Sequence, residues 1–155
     1  MKKEWNKMDS LTIELMNKNN IEAVREISSL SFSVPWTLES IEKELENNLA
    51  KYILLKSVDK YIGFVGVWII FDEGHITNIA IHPEYRGFGY SKILMDALID
   101  TCKKNNVNSI TLEVRSSNIP AIKLYEKYGF IVEGIRKDYY DKPKEDGFIM
   151  WKRNL

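Results

Sequence analysis

The 155-residue chain has a single cysteine, Cys102, and only two histidines, His75 and His82. One cysteine cannot form an internal disulfide bond, and its place among apolar residues at helical spacing favours a buried thiol over a nucleophile. Two histidines and one cysteine match no zinc-ligand spacing, so we expect no metal. These absences argue against disulfide scaffolds and zinc enzymes, and they favour the cytoplasm as the compartment.

The sequence also lacks an excess of charge and a long hydrophobic run. Its 22 basic residues balance 22 acidic ones, so no net field attracts a nucleic acid, and we expect no such partner. The longest apolar run, residues 64–71, is too short to span a bilayer, and the charged N-terminal segment lacks the apolar region of a signal peptide. We therefore expect no membrane partner.

The composition that remains is ordinary for a globular protein, with 45% hydrophobic and 28% charged residues. A chain of this length is large enough for one core and too short for two independent ones. No internal repeat or linker divides it. We predict a single domain over residues 1–155, of which residues 1–9 form a flexible polar tail.

Hydrophobic periodicity predicts two helices near the start of the chain, after a short strand at residues 11–15. The first helix follows Asn20 as its cap and is expected to bury four apolar residues: Ile21, Val24, Ile27 and Leu30. Pro35 and Trp36 interrupt the pattern. The second helix follows Thr37 and has its own apolar face: Leu38, Ile41 and Leu45.

The rest of the chain alternates between strand and helix patterns. Further strands are predicted over residues 51–56, 61–71, 76–81, 109–114, 130–136 and 147–153. A helix over 91–102 should turn four residues inward: Ile93, Leu94, Ala97 and Leu98. Another begins after Asn118, has Pro120 in its first turn and ends at Gly129. This order predicts one mixed sheet with helices on its faces.

A glycine-containing loop links the strand at 76–81 to the following helix, with the sequence Arg86-Gly87-Phe88-Gly89-Tyr90-Ser91-Lys92. Backbone N–H groups and the helix dipole attract an anion at such a place, so the loop can bind a pyrophosphate; the alternative is a simple turn. No Gly-Lys-Ser/Thr closes a Walker loop, and no glycine stands at Ser91 or Lys92, as a dinucleotide fingerprint requires. ATP and NAD are therefore disfavoured.

This loop resembles the acetyl-CoA loop of the GNAT acetyltransferases, Arg/Gln-x-x-Gly-x-Gly/Ala, with Ser91 departing from the pattern at its last position. The resemblance covers roughly residues 10–153. It includes six further segments: Phe32-x-x-Pro35-Trp36, and residues 75–83, 112–118, 121–130, 135–140 and 145–150. The pair Tyr139-Tyr140 and the later Glu145-Asp146 are similar to the RimI-type subfamily, which acetylates the N-terminal alanine of a bacterial ribosomal protein.

The resemblance implies the GNAT fold, an α/β (α+β) domain. Its mixed, mostly antiparallel sheet has about six to seven strands with a central parallel pair that splays apart, and about four helices on its two faces. Acetyl-CoA is then the co-substrate. Its pantetheine arm would follow the backbone of Ile79, Ala80 and Ile81, its pyrophosphate would bind residues 86–92, and Asn118 would add a contact.

The resemblance implies Glu113 as the general base, acting on the acceptor amine directly or through water. Glu113 alternates with Leu112 and Val114 on its strand, so its side chain leaves their apolar face. The alternative is a strand carboxylate paired with a neighbour such as Arg115. Two other groups come next as candidate bases: Glu73 and His75.

Tyr125 is implied as the general acid, because a phenol with an ordinary pKa near 10 can supply a proton to a departing thiolate. The alternative is a helix tyrosine that only packs. Four residues are candidates for an acceptor-peptide groove or, alternatively, for core packing: Pro35, Trp36, Tyr139 and Tyr140.

The expected reaction is direct attack of a protein N-terminal α-amine on acetyl-CoA in a ternary complex, with the N-terminal alanine of a ribosomal protein of the S18 type as acceptor. Another amine (a polyamine, a lysine or a drug) and a non-catalytic acyl-CoA-binding protein are the alternatives. We expect a monomer or a weak homodimer.

Overall fold

A computed structural model describes residues 10–155 of the chain, and the N-terminal tail predicted at residues 1–9 lies outside that range. The described residues form seven strands and four α-helices. Their order is β1 (Leu11–Leu15), α1 (Ile21–Ser31), α2 (Leu38–Glu46), β2 (Ala50–Ser57), β3 (Lys60–Ile70), β4 (Glu73–Ile81), a 3-10 helix (Pro83–Tyr85), α3 (Tyr90–Lys104), β5 (Ser109–Arg115), α4 (Ile119–Lys127), β6 (Ile131–Tyr140) and β7 (Glu145–Arg153).

The seven described strands form a sheet in the order β1-β2-β3-β4-β5-β7-β6. β1 pairs with β2, and β7 with both β5 and β6, in antiparallel fashion. β4 and β5 are parallel, and their register joins three residue pairs, from Glu73–Ser109 to His75–Thr111, although β4 has nine residues. The mixed sheet, its parallel pair and the four helices confirm the predicted fold class.

The described residues group into two compact units, and the first consists of residues 10–66 and 78–99. Its core joins α1 and α2 to the strands through seven buried residues: Val24, Ile27, Ile41, Tyr52, Leu54, Phe64 and Ala80. The Thr37 side chain accepts the Ser40 N–H, which confirms the predicted cap of α2. Asn20 stands at the N-cap of α1, but its side chain makes no cap hydrogen bond and accepts the Asn17 N–H instead.

The second unit consists of residues 67–77 and 100–155. Its buried side chains include those of Cys102, Ile110, Leu112, Phe130 and Met150. Cys102 is buried, as predicted, and its burial raises the pKa of the thiol to about 11.

Several predicted boundaries and burials are wrong by a few residues. Leu30 and Leu38 are 48% and 37% exposed, because they lie at the last turn of α1 and the first turn of α2. In α3, Ile93 and Ala97 were predicted to face the core, but they are half-buried. Met95, which was not predicted, is buried instead. β6 continues to Tyr140, four residues beyond the predicted end, because it pairs with β7 as far as Glu145.

No helix within residues 10–155 combines the length and apolar character needed to cross a membrane. Gly129 has a φ of 88°, as predicted for the residue that ends α4. The prediction of a single domain over the whole chain stays a prediction.

Candidate active site

The predicted phosphate loop lies in the first unit, between the 3-10 helix and the start of α3 at Tyr90. Gly87 and Gly89 have φ values of 87° and 80°, in the left-handed region that favours glycine. A Cβ added at either would meet nothing within 4 Å, so backbone conformation rather than crowding requires glycine here. α3 begins directly after these glycines, and a helix N-terminus is the kind of place that binds phosphate.

Arg86 anchors this loop to two other elements of the first unit. Its Nε donates to the carbonyl oxygen of Ile81 at 2.8 Å, at the end of β4, and its Nη2 donates to the Ser31 hydroxyl at 3.1 Å, at the end of α1. Within the loop, the N–H of Lys92 donates to the carbonyl of Gly89 at 3.2 Å. Arg86 therefore fixes the loop's position as well as bringing positive charge to it.

The strand residues predicted to bind the pantetheine arm lie at the end of β4. Ala80 is 6% exposed and packs in the core of the first unit, whereas Ile79 and Ile81 are half-buried. A Cβ at Gly63 would approach the Ala80 carbonyl oxygen to 2.5 Å, so the absence of a side chain there lets β3 lie close to β4. The Ala80 side chain is thus committed to the core.

Two aromatic residues of the loop belong partly to the protein interior. Tyr90 is 5% exposed, Phe88 is half-buried, and their ring centroids lie 5.9 Å apart. Burial raises the pKa of Tyr90, with a smaller contribution from Tyr85. Tyr90 packs the first turn of α3 against the core, and any contribution to cofactor binding would come from its backbone.

Trp36 was predicted either to line an acceptor groove or to pack in the core. The ring is half-buried and meets the Tyr52 ring edge-on at 5.8 Å, and its backbone N–H donates to the Ser28 hydroxyl at 2.9 Å. These contacts favour packing for Trp36. Pro35 is exposed.

Glu113 lies in the middle of β5 in the second unit, where burial alternates along the strand. Leu112 and Val114 are 4% and 6% exposed, whereas 36% of the Glu113 side chain is exposed, as the alternation predicted. Its Oε2 accepts a hydrogen bond from the Tyr139 hydroxyl at 2.9 Å, and its Oε1 lies 4.0 Å from Nε of Arg136.

The sequence suggested Arg115 as an alternative partner of Glu113, and this prediction is wrong. Arg115 pairs with Glu145 instead, at 3.2 Å from Nη1 to Oε1. Residues two apart on a strand point to the same face, but Arg115 turns toward the chain that links β6 to β7, where it donates to the carbonyls of Pro143 and Asp141 at 2.8 and 3.0 Å.

Tyr125 is deeply buried, whereas its expected role as the general acid assumed a phenol with an ordinary pKa. It is 5% exposed, and its ring centroid lies 5.8 Å from that of Phe130. Burial, with a smaller contribution from Tyr140, raises the pKa of Tyr125 well above that of an ordinary phenol. The expectation of an unperturbed pKa is therefore wrong: the hydroxyl stays protonated at neutral pH and gives up its proton less readily.

Tyr139 and Tyr140 form an edge-to-face pair at the end of β6, with ring centroids 5.0 Å apart. Tyr139 is 46% exposed, and the Arg136 guanidinium lies 5.4 Å from its ring centroid. Tyr140 lies under the Arg115 guanidinium at 4.5 Å, and burial, followed by the charge on Glu113, raises its pKa to about 12. The pair presents aromatic surface next to Glu113, as a groove wall would.

Glu145 and Arg115 tie the β6–β7 connection to the end of β5. Besides its ion pair, the Glu145 carboxylate accepts the Ser117 backbone N–H at 2.7 Å. Hydrogen bonds from Ser117 and Arg115 keep the pKa of Glu145 below its ordinary value. This carboxylate is engaged in holding the hairpin and is not available for chemistry.

Three other predicted residues have simple surroundings. The Asn118 side chain accepts the Ala121 N–H at 3.3 Å, so its role as the cap of α4 is confirmed. Glu73 and His75, the reserve candidates for the base, lie on β4 and contact each other at 3.4 Å.

Sequence reasoning missed three residues around Glu113: Arg136, Asp146 and Gly147. Arg136 and Asp146 lie in the segments that resemble the GNAT family, but that resemblance gave them no role. Their contacts depend on an irregularity in β6 between Arg136 and Tyr140, which the alternation of residues does not predict.

Comparison with known proteins identifies the family. Residues 21–130 match the sequence model of the acetyltransferase (GNAT) family. A Haemophilus influenzae [ribosomal protein bS18]-alanine N-acetyltransferase is 38% identical over 136 residues, which cover 84% of this chain and 90% of that protein. A Bacillus subtilis protein, provisionally named for the same activity, is 43% identical over 137 residues, covering 88% of this chain and 91% of its own.

Among solved structures, the crystal structure of the ribosomal-protein-S18-alanine N-acetyltransferase from Escherichia coli superposes with a TM-score of 0.87 at 30% identity. The match covers 93% of this chain and 94% of the Escherichia coli chain. The family match spans more than half of this chain, and the sequence relatives align over most of their length. The protein therefore belongs to the acetyltransferase (GNAT) family and is an acetyl-CoA-dependent N-acetyltransferase.

Proposed function

We propose that the protein acetylates the α-amine of an N-terminal alanine on a ribosomal protein of the bS18 type, in the cytoplasm. The names of the Haemophilus influenzae and Escherichia coli relatives support this acceptor. The observation that carries the proposal is the half-exposed carboxylate of Glu113, which has the chemistry to deprotonate an amine and lies beside two tyrosines at the end of β6.

The proposed chemistry starts from the acceptor's ammonium group, which has no lone pair. Glu113 takes a proton from it, directly or through water, and the neutral nitrogen then forms a bond to the acetyl carbon as the carbon–sulfur bond breaks. The departing thiolate receives a proton from the Tyr125 hydroxyl, which its raised pKa keeps protonated at neutral pH. The attacking nitrogen gives its second proton to the resulting Tyr125 phenolate, and Glu113 later releases the first proton to water. The reaction proceeds by direct attack in a ternary complex.

An α-amine suits this base better than a lysine does. An α-amine has a pKa near 8 and a lysine side chain one near 10.4, which makes the α-amine about 3 kcal/mol easier to neutralise. The proposal for an N-terminal acceptor therefore also has a thermodynamic basis.

The other proposed roles concern binding. The backbone of Ile79, Ala80 and Ile81 and the loop at 86–92 bind acetyl-CoA, and Asn118 adds a contact to it. Tyr139 and Tyr140 bind the acceptor, and Pro35 and Trp36 are proposed for the acceptor as well. We propose that the chain acts as one domain, without a metal, as a monomer or weak homodimer.

Glu113→Gln and Tyr125→Phe test the proposed roles. Each change removes a proton-transfer group and keeps its shape, so we expect each variant to bind acetyl-CoA with the affinity of the wild type. The rate of thiol release with an alanine-initiated peptide should fall by about 100-fold or more, within the range of general acid–base catalysis. Calorimetric titration measures the binding, and a thiol-reactive dye measures turnover.

Glu133→Gln is the matched control, because Glu133 is a strand carboxylate on β6 that pairs with Arg153 at 2.7 Å, and it is expected to keep the wild-type rate. Wild-type turnover by Glu113→Gln would contradict Glu113 as the base. Wild-type turnover by Tyr125→Phe would leave Tyr125 with only the packing role that its burial supports.

A further inference from the structure

The contact between Tyr139 and Glu113 reaches across an intervening strand. β5 pairs with β7, and β7 pairs with β6, so the Tyr139 side chain must cross β7 to donate its hydroxyl hydrogen to Glu113. Gly147 lies at the crossing: it pairs with Arg115 on one side and Arg136 on the other.

Gly147 leaves the space that the crossing needs. A Cβ built on this buried glycine would lie 3.2 Å from Cδ2 of Tyr139 and 3.1 Å from Cε2 of Tyr140, which is closer than ordinary carbon–carbon contact. Even an alanine would push the two rings away by a few tenths of an ångström. The strand is thus built to let the tyrosine rings lie over it.

A β-bulge directs Tyr139 toward the crossing. The β6–β7 register shifts between Arg136 and Tyr140, and within this segment Asp138 has a φ of 53°. The Asp138 N–H donates to Oδ1 of Asp146 on β7 at 2.9 Å. Bulges redirect side chains beside functional sites, and here the Asp146 carboxylate satisfies the N–H group that the irregular backbone leaves out of the ladder.

We propose that Tyr139 is a positioning residue that holds the Glu113 carboxylate for proton transfer, and that Asp146 and Gly147 keep Tyr139 in place. This inference rests on the proposed function of Glu113. It also gives a purpose to the aspartate of the Glu145-Asp146 pair, which the sequence marked without assigning it a role.

The geometry explains how the hydroxyl orients the base without replacing it. Donation to Oε2 restricts the rotation of the Glu113 side chain, while the other oxygen, Oε1, is 4.0 Å from Arg136 and outside hydrogen-bond range of that guanidinium. Oε1 is therefore the atom placed to take the proton. The hydrogen bond to Glu113 raises the pKa of Tyr139, so the phenol remains a donor throughout the neutral range.

Tyr139→Phe is the direct test, because it keeps the aromatic ring and its edge contact with Tyr140 and removes only the hydroxyl. We expect kcat for an alanine-initiated peptide to fall about tenfold, with the KM of the peptide and the affinity for acetyl-CoA within about twofold of the wild type. A residue that merely lines the groove would change KM and leave kcat unaltered.

A double-mutant cycle tests whether Tyr139 acts through Glu113. Adding Tyr139→Phe to Glu113→Gln should not lower the residual rate further, because the carboxylate it positions is already gone. A further tenfold fall in that background would mean that Tyr139 acts independently of Glu113, and it would overturn the inference.

Three variants test the residues that hold Tyr139 in place. Asp146→Ala removes the oxygen that holds the Asp138 N–H and should reproduce the kcat loss of Tyr139→Phe, whereas Asp146→Asn keeps an oxygen acceptor and should restore most of the rate. Gly147→Ala should lower kcat in the same way. Wild-type kcat in both Asp146→Ala and Gly147→Ala would refute their part in the inference.

Tyr61→Phe is the matched control. The Tyr61 hydroxyl donates to the Glu14 carboxylate at 2.8 Å, the same type of bond in the other unit, and its loss should leave kcat unchanged. If Tyr139→Phe keeps full kcat while Glu113→Gln loses it, this inference fails and the proposed function stands. If Glu113→Gln itself keeps full activity, the proposed base fails, and the inference with it.

Discussion

Burial separates the two tyrosines to which we assign parts in the chemistry. Tyr125 is 5% exposed, and burial is the main cause of its raised pKa. Tyr139 is 46% exposed, and its hydrogen bond to Glu113 is the main cause of its own raised pKa. One phenol is kept neutral by the loss of water and the other by a carboxylate, so the two should respond differently to substitution and to pH.

The raised pKa of Tyr125 predicts a loss of stability in alkali. Below about pH 10 both the folded and the unfolded phenol are protonated, and the free energy of unfolding does not depend on this group. Above about pH 10 the unfolded chain loses the proton first, so stability falls by up to about 1.4 kcal/mol per pH unit until the folded pKa is reached. Tyr125→Phe should reduce this slope.

Urea denaturation of both proteins between pH 8 and pH 11 measures the slope. Met150 is buried in the same unit and has no titrating group, so Met150→Ala serves as the control that lowers stability without changing its pH dependence. Equal slopes for the wild type and Tyr125→Phe would show that Tyr125 ionises normally in the folded protein.

For single residues, the sequence predicted which way a strand side chain points better than it predicted which residues surround a side chain. The exposure of Glu113 follows from alternation with Leu112 and Val114, and this was confirmed. The deep burial of Tyr125 was not predictable from helix periodicity, because it depends on packing beyond the end of α4, against Phe130 and near Tyr140. The pairing of Arg115 with Glu145, rather than Glu113, likewise depends on how the hairpin folds back.

At the scale of structural elements, the loop before α3 has a backbone conformation typical of an anion-binding site. Gly87 and Gly89 both have positive φ, and Arg86 ties the loop to β4 and α1. The open space around both glycines means that a side chain would be resisted only by the backbone conformation. A substitution there should therefore change the loop's shape more than the core beneath it.

Gly89→Ala should raise the KM for acetyl-CoA about fivefold or more, because a left-handed conformation costs an alanine about 1 kcal/mol and the loop would relax away from it. Steady-state kinetics at saturating peptide measure this KM. Gly129→Ala is the control: its φ of 88° gives the same conformational cost at the end of α4, and it should leave the KM unchanged. Equal KM values for both variants would contradict a cofactor role for the loop.

Element boundaries were predictable where a local signal sets them and not where a distant partner does. The Thr37 cap and the Gly129 terminus depend on nearby backbone groups, and both were confirmed. The extension of β6 to Tyr140 and its bulge depend on β7, which lies later in the chain, so strand periodicity alone could not predict them.

For the whole molecule, the kind of element and the order of elements came from hydrophobic patterns, but the sheet topology came from resemblance. Periodicity predicts strands at 76–81 and 109–114 without specifying that β4 and β5 are parallel neighbours, or that β7 lies between β5 and β6. The likeness to the GNAT family supplied the parallel pair. Chain order alone permits many other arrangements of seven strands.

The choice of acceptor is the central claim at this scale, and a competition between amines tests it most directly. One reaction contains acetyl-CoA and three acceptors: an alanine-initiated peptide of the bS18 N-terminus, the same peptide with a blocked N-terminus and an internal lysine, and spermidine. Mass spectrometry identifies which of them gains an acetyl group. The account predicts acetylation of the free alanine α-amine far ahead of the other two; acetylation of spermidine or of the lysine peptide, with the alanine peptide unmodified, would contradict it.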